Sequence, residues 1–226
     1  MLKKQNLLLT MLLLFLFLVS QSFAGKYKPG TYKGSAYGKK HKEHSGLIEV
    51  EVTVDANSIK NIKVLKYEQS VEHKKYGKSV TEVKDKFPAA ITKKQSVDVD
   101  VVSGATFSSV ALELAVARAL AKASTKTYKP GTYKGSAMGK KHKDHSGLIE
   151  VEVTVDAKSI KDIKITKYDQ SVDHKKYGKS VTEAKNKIPG EIKTKQSVDV
   201  DGVTKATMAS NAIQLAVAKA LEKAAK

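Results

Sequence analysis

Cysteine and tryptophan are absent from all 226 residues. Without cysteine there is no disulfide framework, no thiolate-held zinc, no iron–sulfur cluster, no haem attachment and no thiol nucleophile. A lipidated N-terminal cysteine is excluded on the same ground. Acidic residues are the minority charge: 23 Asp and Glu stand against 41 Lys and Arg, a formal charge of +18. Apolar content of 41% and charged content of 28% still describe folded domains, not a disordered polyelectrolyte. No G-x-G-x-x-G occurs. Gly77-Lys78-Ser79 and Gly178-Lys179-Ser180 lack the upstream glycine of a phosphate-binding P-loop, since Glu72 and Asp173 stand there. Beyond the first 25 residues no segment is apolar enough to span a bilayer.

What is present begins with a leader. Lys3 and Lys4 precede an almost unbroken hydrocarbon run, Leu7 to Val19, and Ser22-Phe23-Ala24 offers small residues before Gly25. This is the pattern of a secretory signal peptide, residues 1–24, of the Sec type. The run is short for a membrane span, which needs about 20 apolar residues. Cleavage and an uncleaved anchor are the two readings. Both place the rest of the chain outside the cytoplasm: in the periplasm, in the cell wall or on the outer face of the membrane.

The remainder is one domain written twice. The run YKPGTYKGSA starts at Tyr27 and again at Tyr128, and residues 26–123 align with 127–224 without a gap, 72 of 98 positions being identical. A period near 100 residues is too long for a solenoid unit and suits a domain that closes its own core. The two copies carry almost no linker. Identity between recent duplicates does not mark function, so the positions that differ are the informative ones.

Within copy one, Gly30 to Ala36 reads as a short strand. Leu47 to Val54 alternates, with Ile48, Val50, Val52 and Val54 on one face, and Ile59 to Lys66 follows after the turn Asp55–Ser58. Then the period changes. Val80, Val83 and Phe87 predict a helix starting near Lys78, which Pro88 is expected to end or restart. Val97–Asp100 reads as a last short strand. Ser108–Lys122, rich in Ala and Leu, predicts a helix with Ser108 or Ser109 as N-cap. The fold class is α+β: two tandem copies of a small antiparallel sheet packed with helices, after the signal peptide.

The chemistry concentrates at Asp100–Ser109, a strand, a Gly-containing turn and a helix start. First-turn N–H groups and the partial positive charge of a helix start favour phosphate. Gly104 permits positive φ and close approach, and Ser103, Thr106, Ser108 and Ser109 supply hydroxyls. From composition alone this is equally an ordinary Ser/Thr-capped helix. The residues Asp100, Ser103, Gly104, Ala105, Thr106 and Ser108 nevertheless resemble the pattern Asp-x-x-Ser/Thr-Gly-Ala-Thr/Ser-x-Thr/Ser of the FMN-binding domain family. That domain occurs in the C subunit of sodium-pumping NADH:quinone reductase and the G subunit of the RNF complex. The resemblance spans the whole copy, through GTYKGSAYG, LIEVEVTV, SIKNIKVLKYEQS, FPAAITKKQS and VDVDVVSGATFSS. It implies that Thr106 carries FMN through a phosphoester, attached by an extracytoplasmic flavin transferase using FAD and Mg²⁺. Glu68 lies near the family's acidic position ahead of the first helix.

Copy two departs from the pattern. Thr207 remains, but Lys205 replaces Gly104 and Ala209 replaces Ser108. A lysine disfavours positive φ, and its side chain either fills the phosphate's space or pairs with the phosphate as a point charge. One covalent FMN per chain is therefore expected, with copy two empty or holding flavin loosely. His41, His44 and His73, repeated as His142, His145 and His174, could gather a metal, but the first two lie in a lysine-rich polar loop, and no metal is expected. Scattered lysines suit polyanions of the envelope, not nucleic acid. The functional expectation is an extracytoplasmic electron carrier, not itself an enzyme. It would take electrons from a membrane-associated dehydrogenase or quinol and pass them to an extracytoplasmic acceptor. Two alternatives stand beside it: a cationic envelope-binding module without cofactor, and the flavin subunit of a separate reductase.

Overall fold

The computed structural model describes residues 25–41, 44–142 and 144–226. The signal-peptide reading of residues 1–24 lies outside the described residues. Each copy is a three-stranded antiparallel meander followed by two helices. Copy one holds β1 (Gly30–Tyr37), β2 (Leu47–Val54), β3 (Ile59–Tyr67), α1 (Gly77–Lys94) and α2 (Thr106–Ala123). Copy two holds β4 (Gly131–Met138), β5 (Leu148–Val155), β6 (Ile160–Tyr168), α3 (Gly178–Lys195) and α4 (Thr207–Ala224).

The alternation of LIEVEVTV produces the expected two-faced strand: Ile48, Val50, Val52 and Val54 are buried and the residues between them are half-buried. Asp55 closes the β2–β3 hairpin by accepting the N–H groups of Asn57 at 2.8 Å and Ser58 at 2.7 Å. Those donors hold its carboxyl down at about 2. Gly34 pairs with Val50, and Val50 with Val64. A side chain at Gly34 would run into the backbone carbonyl of Ala115, so this glycine lets α2 lie directly on the sheet. α1 covers β3 and the flank of α2.

Three expectations are corrected. Pro88 does not end the first helix; α1 continues through it to Lys94. Buried Val80, Val83, Phe87 and Ile91 lie along one face of α1, and their burial outweighs a local proline cost of about 3 kcal/mol. The second helix begins at Thr106 with Ala105 as N-cap and no side-chain cap, so neither Ser108 nor Ser109 caps it. Ser109 Oγ instead accepts the N–H of Val102 at 3.1 Å and pins the preceding loop. Val97–Asp100 forms no strand. Its polar groups turn to the other copy: Ser96 Oγ and Val97 N–H donate to Glu222, at 2.6 and 3.1 Å, and Asp98 meets Lys219 at 2.9 Å.

The copies pack together through α2 and α4. Both helices are apolar nearly all round, and a helix of that kind must be covered on both sides. One side lies on its own sheet and the other on the neighbouring helix. At the C-terminal ends Ala117, Ala121 and Ser124 share a small cavity with Ala218, Leu221 and Ala225. At the N-terminal ends Phe107 shares a cavity with Thr207 and Met208. The two helices therefore run side by side in one direction. Long side chains reach back across the contact: Arg118 donates to Gln214 Oε1 at 2.7 Å and to the Val200 carbonyl at 2.7 Å, and Lys219 sits 3.1 Å from Glu113.

Candidate cofactor site at the start of the second helix

The loop Val101–Ala105 leads into α2 with Gly104 at φ 82°. Ala105 N–H donates to the Val102 carbonyl at 2.9 Å, which closes the turn. Ala105 is buried, and Thr106 stands half-buried as the first helical residue. Its hydroxyl enters no hydrogen bond among the described residues. No side chain caps α2, so the N–H groups of its first turn have no side-chain partner. Open N–H groups, a bare backbone at Gly104 and a free threonine oxygen fit a phosphate monoester.

Asp100 and Ser103 are exposed on the same loop. Ser108 does not face the turn. It is buried, and its hydroxyl donates to Gln69 Oε1 at 3.0 Å. Glu68 points away, to Ser45 Oγ and to Lys66 Nζ at 2.9 Å, and both hold its carboxyl below the usual range. The sequence reading passed over its neighbour Gln69. That side chain is buried and donates to the Gly46 carbonyl at 2.6 Å, so it ties the β1–β2 loop to the start of α2. A lone glutamine at a strand end carries no periodic signal. Tyr76 and Ser79 were also passed over. The place a Cβ would take on Gly104 lies 3.4 Å from Tyr76 Cδ1 and 3.5 Å from Ser79 Oγ, so the start of α1 borders the turn. Tyr76 stacks on His73, ring centroids 5.0 Å apart, and His73 Nδ1 accepts the Lys75 and Tyr76 N–H groups at 3.2 and 3.3 Å. Among the described residues no three His, Asp or Glu side chains converge on a metal position.

Copy two keeps the loop despite its substitutions. Lys205 adopts φ 68°, and Ala206 N–H reaches the Val203 carbonyl at 3.0 Å, as in copy one. The expected backbone obstacle is therefore absent; Lys205 changes the charge of the turn, not its shape. His145 also differs from His44. His44 Nε2 meets Ser70 Oγ at 3.1 Å, whereas His145 lies between Asp169, at 3.0 Å, and Asp173, at 3.3 Å. Those carboxylates raise its pKa, Asp169 foremost.

A twice-repeated α+β domain with an uncapped helix start behind a left-handed turn fits a domain that takes a phosphate-bearing cofactor. The FMN-binding domain family matches residues 43–121 and again 144–222, and the chain belongs to that family as a tandem pair. Membership carries a flavin-binding role in electron transfer. No curated protein shows significant similarity to the chain.

Proposed function

We propose that this chain is an exported flavoprotein in which Thr106 carries FMN through a phosphoester. It would relay electrons from a membrane-associated dehydrogenase or quinol to an extracytoplasmic acceptor. The carrying observation is the unengaged Thr106 hydroxyl at an uncapped helix start, directly after Gly104 at φ 82°. FMN, when bound, supplies one- and two-electron transfer. The first turn of α2 holds the phosphate, Gly104 admits it, and the Ser108–Gln69 hydrogen bond fixes the turn against the sheet. Tyr76 borders the same turn. A covalent tether suits an exported carrier, because a loosely held cofactor would be diluted away outside the cell. Maturation would require an extracytoplasmic flavin transferase using FAD and Mg²⁺.

The test is co-expression with such a transferase, followed by in-gel fluorescence after denaturation and intact-mass measurement. One flavin per chain is expected, and Thr106→Val is expected to abolish it. A wild-type chain without denaturation-resistant flavin, or fluorescence that survives in Thr106→Val, would overturn the assignment. A dominant species with two covalent flavins would overturn the single-site reading.

A further inference from the structure

We propose that the small cavity between the C-terminal ends of α2 and α4 binds a short-chain monocarboxylate, of the size of acetate or propionate, at a place where copy one holds no glutamate. This site is independent of the flavin reading above. The copies meet with twofold-like symmetry, so residues 101 positions apart stand in equivalent places. Arg118 reaches Gln214 at 2.7 Å and Asp199 at 3.6 Å, and its counterpart Lys219 reaches Glu113 at 3.1 Å and Asp98 at 2.9 Å. One contact has no counterpart. Glu222 of α4 takes Ser96 Oγ at 2.6 Å and the Val97 N–H at 3.1 Å, one on each carboxylate oxygen. The equivalent of Glu222 in α2 is Ala121, and the donors left without a carboxylate are those of Ser197 and Val198. Val198 is 2% exposed, and its N–H finds no acceptor among the described residues. Ser197 Oγ accepts the Asp199 N–H at 3.1 Å, as Ser96 accepts that of Asp98 at 3.0 Å, but its own proton goes to no acceptor among the described residues.

Ala121, Ser197 and Val198 all line the cavity, whereas Ser96 and Val97, which Glu222 engages, do not. Buried N–H groups are nearly always partnered, so this space is expected to hold an acceptor. Its volume is about 70 Å³. One water needs roughly 10–15 Å³, and a cofactor pocket starts at roughly 300 Å³. The cavity therefore has room for a molecule of a few heavy atoms. Ala117, Leu120, Ala218 and Leu221 wall the rest, which suits a short alkyl end. The equivalent donors around Glu222 show what the pair selects: a carboxylate with one oxygen on each donor. Glu222 is the one carboxylate lining the cavity, against Lys26 and Lys126. Burial pushes the Glu222 carboxyl up, and its oxygens face Ser96 and Val97, so its repulsion of a second carboxylate is reduced.

Titration of the isotope-labelled tandem pair with propionate, at constant ionic strength and near neutral pH, tests this by amide NMR. A saturable shift of the Val198 resonance is expected, with one propionate per chain and Val97 unmoved. Chloride in place of propionate is expected to move neither. Ala121→Glu supplies the missing carboxylate and is expected to weaken propionate uptake by at least about tenfold. Glu222→Ala empties the equivalent place and is expected to create a second site, read as a saturable shift of Val97. No saturable shift of Val198 would mean that the cavity takes water only, and would overturn the site. An equal response to chloride would overturn carboxylate recognition. Undiminished uptake by folded Ala121→Glu would overturn the location. Where Ala121→Glu does not fold, Glu222→Ala decides: two propionates per chain support the donor pair as the recognition element, and a Val97 resonance indifferent to propionate rejects it. Flavin attachment at Thr106 enters none of these readings, so its failure is distinguishable from failure here.

Discussion

Glu113 is fully buried on α2, with Lys219 Nζ 3.1 Å from one carboxylate oxygen and no hydrogen bond to either oxygen. Burial pushes its pKa up to about 8, and the Lys219 ammonium pulls only partly against it. Lys219 keeps Asp98 as a second partner at 2.9 Å. The folded chain thus holds a proton on Glu113 that the unfolded chain releases near pH 4.5. Stability from this group is full below about pH 4.5 and is lost as pH rises toward 8, by up to about 1 kcal/mol per pH unit. Asp55, Asp156 and Asp169, held at about 2, act in the opposite sense, but only in acid. His145, held up by its two carboxylates, loses its contribution above pH 6.5 in both proteins and cancels in a comparison. Glu113→Gln is therefore expected to flatten thermal stability between pH 5 and 8.5 relative to wild type. Gln214 at the equivalent position of α4 shows that the amide fits. Melting curves across that range decide the point, and an unchanged slope would reject it. None of this was visible from residue 113 in the sequence, because a glutamate in an Ala/Leu helix looks solvent-facing until a second helix covers it.

α2 and α4 show how an element's sequence carries more than its secondary structure. Val110 to Val116 are buried without a break, and an ordinary surface helix would show a polar stripe there. That absence was the legible sign of a second packing surface. The VDVD segment misled for a related reason: alternation signals two different neighbours, and here the polar neighbour is the other copy, not water. Close packing also makes the sheet-facing glycines specific. Gly34→Ala places a methyl group against the Ala115 carbonyl, a backbone atom that cannot swing aside. A loss of about 1–3 kcal/mol is expected, or roughly 2–10 °C in melting temperature. A melting temperature unchanged within a degree would mean that α2 does not lie as close to β1 as the structure places it.

At the scale of the molecule, side-by-side α2 and α4 bring the Gly104 and Lys205 turns to one end. Two helix starts and their lysines then add their charge at that end instead of opposing one another. Without Lys3 and Lys4, which the signal-peptide reading would remove with residues 1–24, the chain carries +16. Attachment to anionic envelope polymers or headgroups is expected, screened over about 8 Å at physiological ionic strength. Cosedimentation with vesicles containing anionic lipid should fall steeply between low and high salt and vanish on neutral vesicles. Salt-independent binding would count against an electrostatic contact. Among the described residues no helix is long and apolar enough to cross a membrane.

The duplication, the three-strand meander, the helix after each turn and the candidate threonine could all be read directly from residues. The first three rest on local patterns, namely a repeat, a period of two and a run of helix formers, whereas the threonine was singled out among several hydroxyls by the family resemblance. Only the tertiary structure decided that Pro88 lies within a helix, that Lys205 keeps the glycine's backbone angle, and that the copies share one interface. Pro88 is carried by the packing of α1 within its own copy, and the shared interface by contacts between segments about a hundred residues apart. Val200 accepts Arg118, and Glu222 takes Ser96 and Val97. A local pattern states which groups need a partner; the packed chain alone determines which partner each one finds.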